Sequence, residues 1–280
     1  MKYAIIGVEG PHDQAFTGKV LKLLGFKDFR EEWNKLDKLT RLDMSKELES
    51  KFDKFWHKFI PRYPKQGDLY KRLDMPSILF NDTVSVVIYA GEGSSNLVTN
   101  LDDILSNNSE YQTNLSAFGI VTDCDNKSNP NKIVSEYTNK FRNYFPDLPD
   151  RAGVVNSNSP RTGIYILPDN ASPGVLDTLL CECGQIAYPA YMKRANSYLD
   201  SYLDEFSDMD EFSQKERKSL KWKNFDREKA LVATVVSVLK PGKTNTTSIA
   251  DNNWVSEKTQ QQVPGLANFI DFLSQLLEVS

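Results

Sequence analysis

The stretch Tyr3-Ala4-Ile5-Ile6-Gly7-Val8-Glu9-Gly10-Pro11-His12-Asp13 decides the fold. Its first six residues form an apolar, β-branched-rich run without polar alternation, the pattern of a parallel strand buried on both faces. Glu9-Gly10 ends that run. From His12 to Leu24, residues Phe16, Val20, Leu21, Leu23 and Leu24 recur at helical spacing, and Gly25 supplies a C-terminal stop. The unit is a strand, an acidic turn and a helix. Glu9 and Asp13 therefore fall at the carboxyl end of a strand, where open parallel sheets bind ligands.

The same unit recurs along the chain. Val84-Ser85-Val86-Val87-Ile88-Tyr89 precedes the turn Gly91-Glu92-Gly93-Ser94-Ser95-Asn96-Leu97 and a helix through Leu105. That turn lacks the lysine and spacing of a Walker loop and reads as a tight crossover. Phe118-Gly119-Ile120-Val121-Thr122 runs into Asp123-Cys124-Asp125, a polar loop, and a helix over Ile133 to Tyr144. Thr162-Gly163-Ile164-Tyr165-Ile166-Leu167 runs into Pro168-Asp169 and then a helical pattern from Leu176 to about Leu203, interrupted at Gly184 and Pro189. The rhythm predicts an α/β fold with a mostly parallel sheet of about four strands flanked by helices, in one domain over residues 1–280.

Two segments depart from the rhythm. Residues 27–80 read as a helical insertion of two or more amphipathic helices, and residues 186–223 as a helical, charged insertion with a solvated face. Within the first, Lys51-Phe52-Asp53-Lys54-Phe55-Trp56-His57-Lys58-Phe59 mixes rings and bases as a nucleic-acid surface can. Aromatics at helical spacing more often face a core or a protein interface, and that reading is preferred. Beyond a helix from Asp226 to Leu239, Lys243 to Gln262 reads as a polar loop and Pro264 to Leu277 as a terminal helix.

With 40% hydrophobic and 26% charged residues over 280 positions, the chain has the composition of an ordinary globular protein. No run approaches the roughly 20 apolar residues that span a bilayer. Met1-Lys2-Tyr3 leads straight into a strand, so a cytoplasmic protein is expected. The net charge of -4 gives no global basic signal for nucleic acid, although a local basic track would suffice. Three cysteines and two histidines suit neither a disulfide framework nor a convincing zinc quartet.

Glu9, Asp13, Asp123 and Asp125 have a plain structural reading, as helix caps and a polar turn. Four carboxylates meeting beyond adjacent strands would nevertheless repel one another unless cations neutralised them, and oxygen donors suit Mg²⁺ or Mn²⁺. With Val-Glu-Gly-x-x-Asp after the first strand and Asp-x-Asp after a later one, the chain resembles the Toprim domain of topoisomerases, bacterial primases and OLD-type nucleases. It is further similar to compact stand-alone OLD-like Toprim proteins encoded beside an ATPase, through Pro168-Asp169, Gly174-Val175-Leu176-Asp177 and Lys229 in Arg-Glu-Lys-Ala. The resemblance covers residues 1–25, 84–185 and 224–280. Asp177 stands where these relatives usually carry a longer glutamate.

The resemblance implies a Toprim, Rossmann-like fold and a metal-dependent nuclease that hydrolyses phosphodiester bonds of DNA or RNA. It implies two Mg²⁺ or Mn²⁺ ions, with Glu9, Asp123 and Asp125 around one and Asp13, Asp169 and Asp177 contributing to another. Glu9 is then also a general acid or base, and Lys229 a stabiliser of phosphate charge. An ATPase partner and a role as effector of a bacterial anti-phage or toxin-like system follow by analogy, with the 27–80 insertion as the docking surface. The alternative is a non-catalytic, metal-containing binding or regulatory module. A phosphatase or nucleotidyl-transfer enzyme on small substrates is a third possibility.

Overall fold

The computed structural model describes residues 1–29, 31–32, 54–56, 77–126, 129–203 and 222–279. Trp33, His57, most of the 27–80 segment and the charged run of 204–221 lie outside the described residues. The four strands expected from the apolar runs are β1 (Lys2–Val8), β4 (Val84–Ala90), β5 (Ala117–Asp123) and β7 (Arg161–Leu167). They form a continuous parallel block in the order β4-β1-β5-β7.

The sheet is nonetheless mixed and has seven strands among the described residues, not about four. β2 (Lys27–Asp28) and β3 (Ser77–Phe80) add antiparallel strands beyond β4, and β6 (Val155–Asn156) adds one beyond β7. The outermost residues of the 27–80 segment, Lys27–Asp28 and Ser77–Phe80, are thus sheet, whereas Lys54–Trp56 within it is helical. Two-residue strands carry no alternation that a sequence could display, and short antiparallel strands of this kind blunt the open edges of a sheet.

Alternation along each strand builds two cores. Ala4, Ile6 and Val8 of β1 face one, and Ile5 faces the other. On the first face lie α1 (Pro11–Leu23), α5 (Leu176–Ala187), α6 (Pro189–Leu203), α7 (Asp226–Leu239) and α10 (Pro264–Leu277). The opposite face carries α2 (Ser94–Ser106), α3 (Ser109–Asn114) and α4 (Pro130–Phe141). Covering both faces is what makes the parallel strands apolar throughout. Phe55 and Trp56, from the aromatic and basic run, are buried in the second core. Phe55 stacks on Tyr3 at 3.9 Å between ring centroids, and the Trp56 indole donates to Ser85 at 2.9 Å. For these two rings the core reading of the aromatics holds.

Lys243 to Gln262 is not a loop. It forms α8 (Asn245–Asp251) and α9 (Glu257–Gln262), with Ile249, Trp254 and Val255 buried. Thr244 and Ser256 cap them by accepting from the amides of Thr247 and Thr259. The helices are short enough that caps, not periodicity, define them.

Gly119 and Gly163 face each other across β5 and β7 and let α10 lie close on the sheet. A Cβ at Gly163 would fall 2.7 Å from the Phe272 ring and 2.9 Å from the Val154 carbonyl oxygen. The ring can shift, but the carbonyl cannot without disturbing β6. Gly163→Ala should therefore destabilise the protein by about 1–3 kcal/mol in denaturant unfolding. An unchanged midpoint would contradict this packing.

Candidate active site

The strand order locates a crevice. From β1 the chain passes through α1 on the first face to β4. From β4 it returns through α2 on the second face to β5, and α4 on that same face leads to β7. Right-handed crossovers make the helices change face where the direction of strand addition reverses, between β1 and β5. The segments leaving β1 and β5 diverge there, and ligands of open α/β sheets bind in the resulting gap. Glu9 follows β1 and Asp123 ends β5.

Hydrogen bonds fix the acids around that gap. The Thr122 hydroxyl donates to Glu9 Oε1, and the Asp123 amide donates to the same oxygen at 3.1 Å. The Glu9 carbonyl accepts from the Gly93 amide at 2.8 Å, tying the β4–α2 turn to the end of β1. Asp13 Oδ2 accepts from the Gly10 amide at 2.9 Å, so Asp13 does cap α1 as well as facing the cluster. Asp123 Oδ1 accepts from the Leu176 amide at 2.9 Å, in the first turn of α5, where the helix dipole favours an anion. The loop after β5 is clamped by reciprocal Asp125–Gly174 backbone bonds of 2.8 and 3.0 Å.

Electrostatics show which acids act on one another. Asp13 is buried, and burial followed by the charge of Glu9 pushes its pKa up to about 7. Asp123 is held well above the usual carboxylate range by burial, then by Asp13 and Glu9, with Asp125 adding a smaller push. Asp177 is buried in the first turn of α5. Burial raises its pKa against the opposing pull of His12 and Lys229, and its own charge acts on Asp13. Five of the six expected metal-binding carboxylates therefore share one electrostatic field. Three βα units whose strands are neighbours in the sheet supply them, from β1, β5 and β7.

Asp169 is not part of that set. Its Oδ1 accepts from the amides of Ala171 and Ser172 at 2.9 and 2.7 Å, and its Oδ2 from the Ser172 hydroxyl at 2.8 Å. Burial works against its ionisation, but those donors outweigh burial and leave its pKa below the ordinary value. The sequence Asp-Asn-Ala-Ser is an Asx-type turn whose acid serves its own loop. Lys229, exposed in the first turn of α7, reaches the Asp177 carboxyl through its field rather than through a hydrogen bond.

Among the described residues, no three His, Cys, Asp or Glu side chains converge closely enough to hold an ion in this conformation. The donor chemistry still fits a hard divalent cation. All the groups are carboxylates, and burial with mutual repulsion holds them in a state that a cation would relieve. Side-chain rotation would have to complete the ligand set.

Beside the acids lies a cleft of about 270 Å³, with Glu9, Thr122, Asp123 and Asp125 on its floor. Its walls come from α2 and α4. Sequence reading singled out neither these wall residues nor Thr122, Tyr137 or His12 as functional. The Tyr137 hydroxyl donates to Thr122 Oγ1 at 3.3 Å, and burial pushes its pKa up to about 12, so it remains a neutral donor. Thr122 is the one legible among them, as the hydroxyl residue immediately before Asp-x-Asp on an otherwise apolar strand.

No helix among the described residues is long and apolar enough to cross a membrane. No curated protein matches the chain. Among solved structures, a hypothetical protein from Pyrococcus horikoshii OT3 resembles it at 17% identity and a TM-score of 0.47, over 99% of this chain and 95% of that one. Residues 3–278 match a family described as "Protein of unknown function (DUF3226)", and the chain belongs to that family.

Proposed function

We propose that this protein is a Toprim-like, divalent-metal-dependent nuclease that hydrolyses phosphodiester bonds of DNA or RNA. The observation that carries the reading is that Glu9, Asp13 and Asp123 act on one another at the β1/β5 switch point, with Asp177 acting on Asp13 from the helix after β7. Mg²⁺ or Mn²⁺ held by these carboxylates would neutralise charge on the transferring phosphoryl group and activate the attacking water. Glu9, oriented by Thr122 and the Asp123 amide, is placed to hold or pass a proton at the floor of the cleft. Lys229, in the field of Asp177, adds positive charge where phosphate oxygens become more anionic. Service as the effector of an anti-phage or toxin-like system with an ATPase partner remains part of the proposal through the OLD-like resemblance.

The test is cleavage of plasmid DNA and tRNA with Mg²⁺ or Mn²⁺, comparing the wild type with Asp123→Ala and Asp169→Ala. Asp123→Ala should lose at least about 100-fold in rate. Asp169→Ala, which opens only its own turn, should cost about 1 kcal/mol in stability and leave the rate nearly unchanged. Equal loss in both variants would sink the assignment of roles.

A non-catalytic binding module is the second reading, favoured by one observation. Glu9 and Asp123 already have protein donors on one oxygen each, so the cluster is ordered before any reaction. Absence of cleavage in every condition, with Mn²⁺ still binding, would select it.

A further inference from the structure

We infer that the cleft between α2 and α4 is a subsite for a single nucleotide, so that the enzyme acts on unpaired rather than duplex nucleic acid. This rests on the nuclease reading and names the substrate class for the same site.

The cleft opens directly onto the acids. Its lining is divided in a way that matches a nucleotide. Val98 of α2 and Ile133 and Tyr137 of α4 supply an apolar wall that suits the face of a base. Tyr137 is held by its bond to Thr122, so its ring is fixed in advance. The remaining wall carries Ser94 and Ser95 in the first turn of α2, together with Lys140 on α4. Hydroxyls and one cation are the partners of a phosphate or ribose. Glu136, one turn before Lys140, also lines the cleft and confines an anion to the Ser94 and Lys140 end.

Size and lining together favour a nucleotide. At about 270 Å³ the space lies just under the roughly 300 Å³ at which ordinary small-molecule sites begin, enough for about one nucleotide. A free phosphate would leave the apolar wall bare, and a peptide strand would need a longer groove. Both walls are helices anchored in the core, α2 through Leu97, Leu101 and Leu105 and α4 through Ile133, Val134 and Phe141. So anchored, they frame a cleft far too small for a double helix. A base can enter only after leaving its stack, which costs a few kcal/mol in a duplex and least in a single strand.

The experiment titrates 5′-AMP, adenosine and ribose 5-phosphate into the full chain without metal, followed by amide chemical shifts. It uses the wild type, Val98→Trp and Lys140→Glu. AMP and adenosine should shift amides of residues 94–98 and 133–140, and ribose 5-phosphate should shift them much less. Val98 is half-buried at the cleft wall, so Val98→Trp should keep the wild-type circular dichroism and weaken AMP at least tenfold. Lys140→Glu should weaken AMP and leave adenosine unchanged. In a Mn²⁺ cleavage assay, a single-stranded oligonucleotide should be cut at least tenfold faster than its blunt duplex. AMP binding elsewhere, wild-type AMP affinity in Val98→Trp, or equal cleavage of duplex and single strand would overturn the inference. Binding in the cleft without any cleavage would overturn the nuclease reading and leave the subsite standing, so the two failures are distinguishable.

Discussion

Glu9→Gln is expected to lower metal-dependent cleavage by roughly 10³-fold while leaving the fold intact, a loss on the scale of removing one preorganised electrostatic group from an active site. The substitution is nearly isosteric. Its side-chain oxygen can still accept from Thr122 and from the Asp123 amide, so the loop geometry has no reason to change. What disappears is the negative charge and the capacity to exchange a proton. The same charge raises the pKa of Asp13 and Asp123, so its removal should raise stability slightly above pH 7. Activity and stability are thus predicted to move in opposite directions, an outcome that a merely structural Glu9 could not produce. Single-turnover cleavage and thermal melts on the same samples decide it. Retention of more than a tenth of the rate would remove Glu9 from the chemistry.

The contrast between Asp13 and Asp169 shows how much of this site was legible. Both follow a strand by a few residues; position after the strand marks Asp13 as a ligand, whereas the resemblance alone implies Asp169. Asp13 sits at the third position of a long amphipathic helix, so the strand end and the helix axis together aim it at the crevice. Asp169 lies in an irregular loop whose side-chain bonds are made within three residues, and no periodicity fixes its direction. The same division holds for the fold. β1, β4, β5 and β7 announce themselves because burial on both faces demands unbroken apolar runs. β2, β3 and β6 are pieces of two to four residues, too short to display an alternation, two of them folded back on β4 and β7 and the third completed only by the distant β3. The cleft wall was illegible for a related reason. Val98, Ile133 and Tyr137 look like ordinary core positions until the face change at the switch point sets α2 and α4 opposite each other above β5.

Site acids carry a measurable cost, and Asp13→Asn should expose it as a gain in stability. Asp13 ordinarily ionises near 3.8 and, folded, near 7, because burial and then Glu9 oppose its charge. Between those values the folded state binds more protons than the unfolded state, so stability falls as pH rises, with no further loss above about pH 7. Raised values at Asp123 and Asp177 act with the same sign. Asn keeps an acceptor for the Gly10 amide and abolishes the charge. The variant should therefore exceed the wild type by about 1–3 kcal/mol at pH 8 in the presence of a chelator, with the gap closing by pH 4. The fall in wild-type stability over that window should become shallower. A divalent cation that binds only the folded carboxylates stabilises by mass action, so millimolar Mg²⁺ should raise the wild-type melting temperature at pH 8 and do less for Asp13→Asn. Denaturant unfolding at pH 4, 6 and 8, with and without Mg²⁺, reads all of these together. A variant less stable than the wild type at pH 8 would mean that Asp13 is retained for its cap on α1. The opposite result would show an acid cluster held together against its own burial and repulsion.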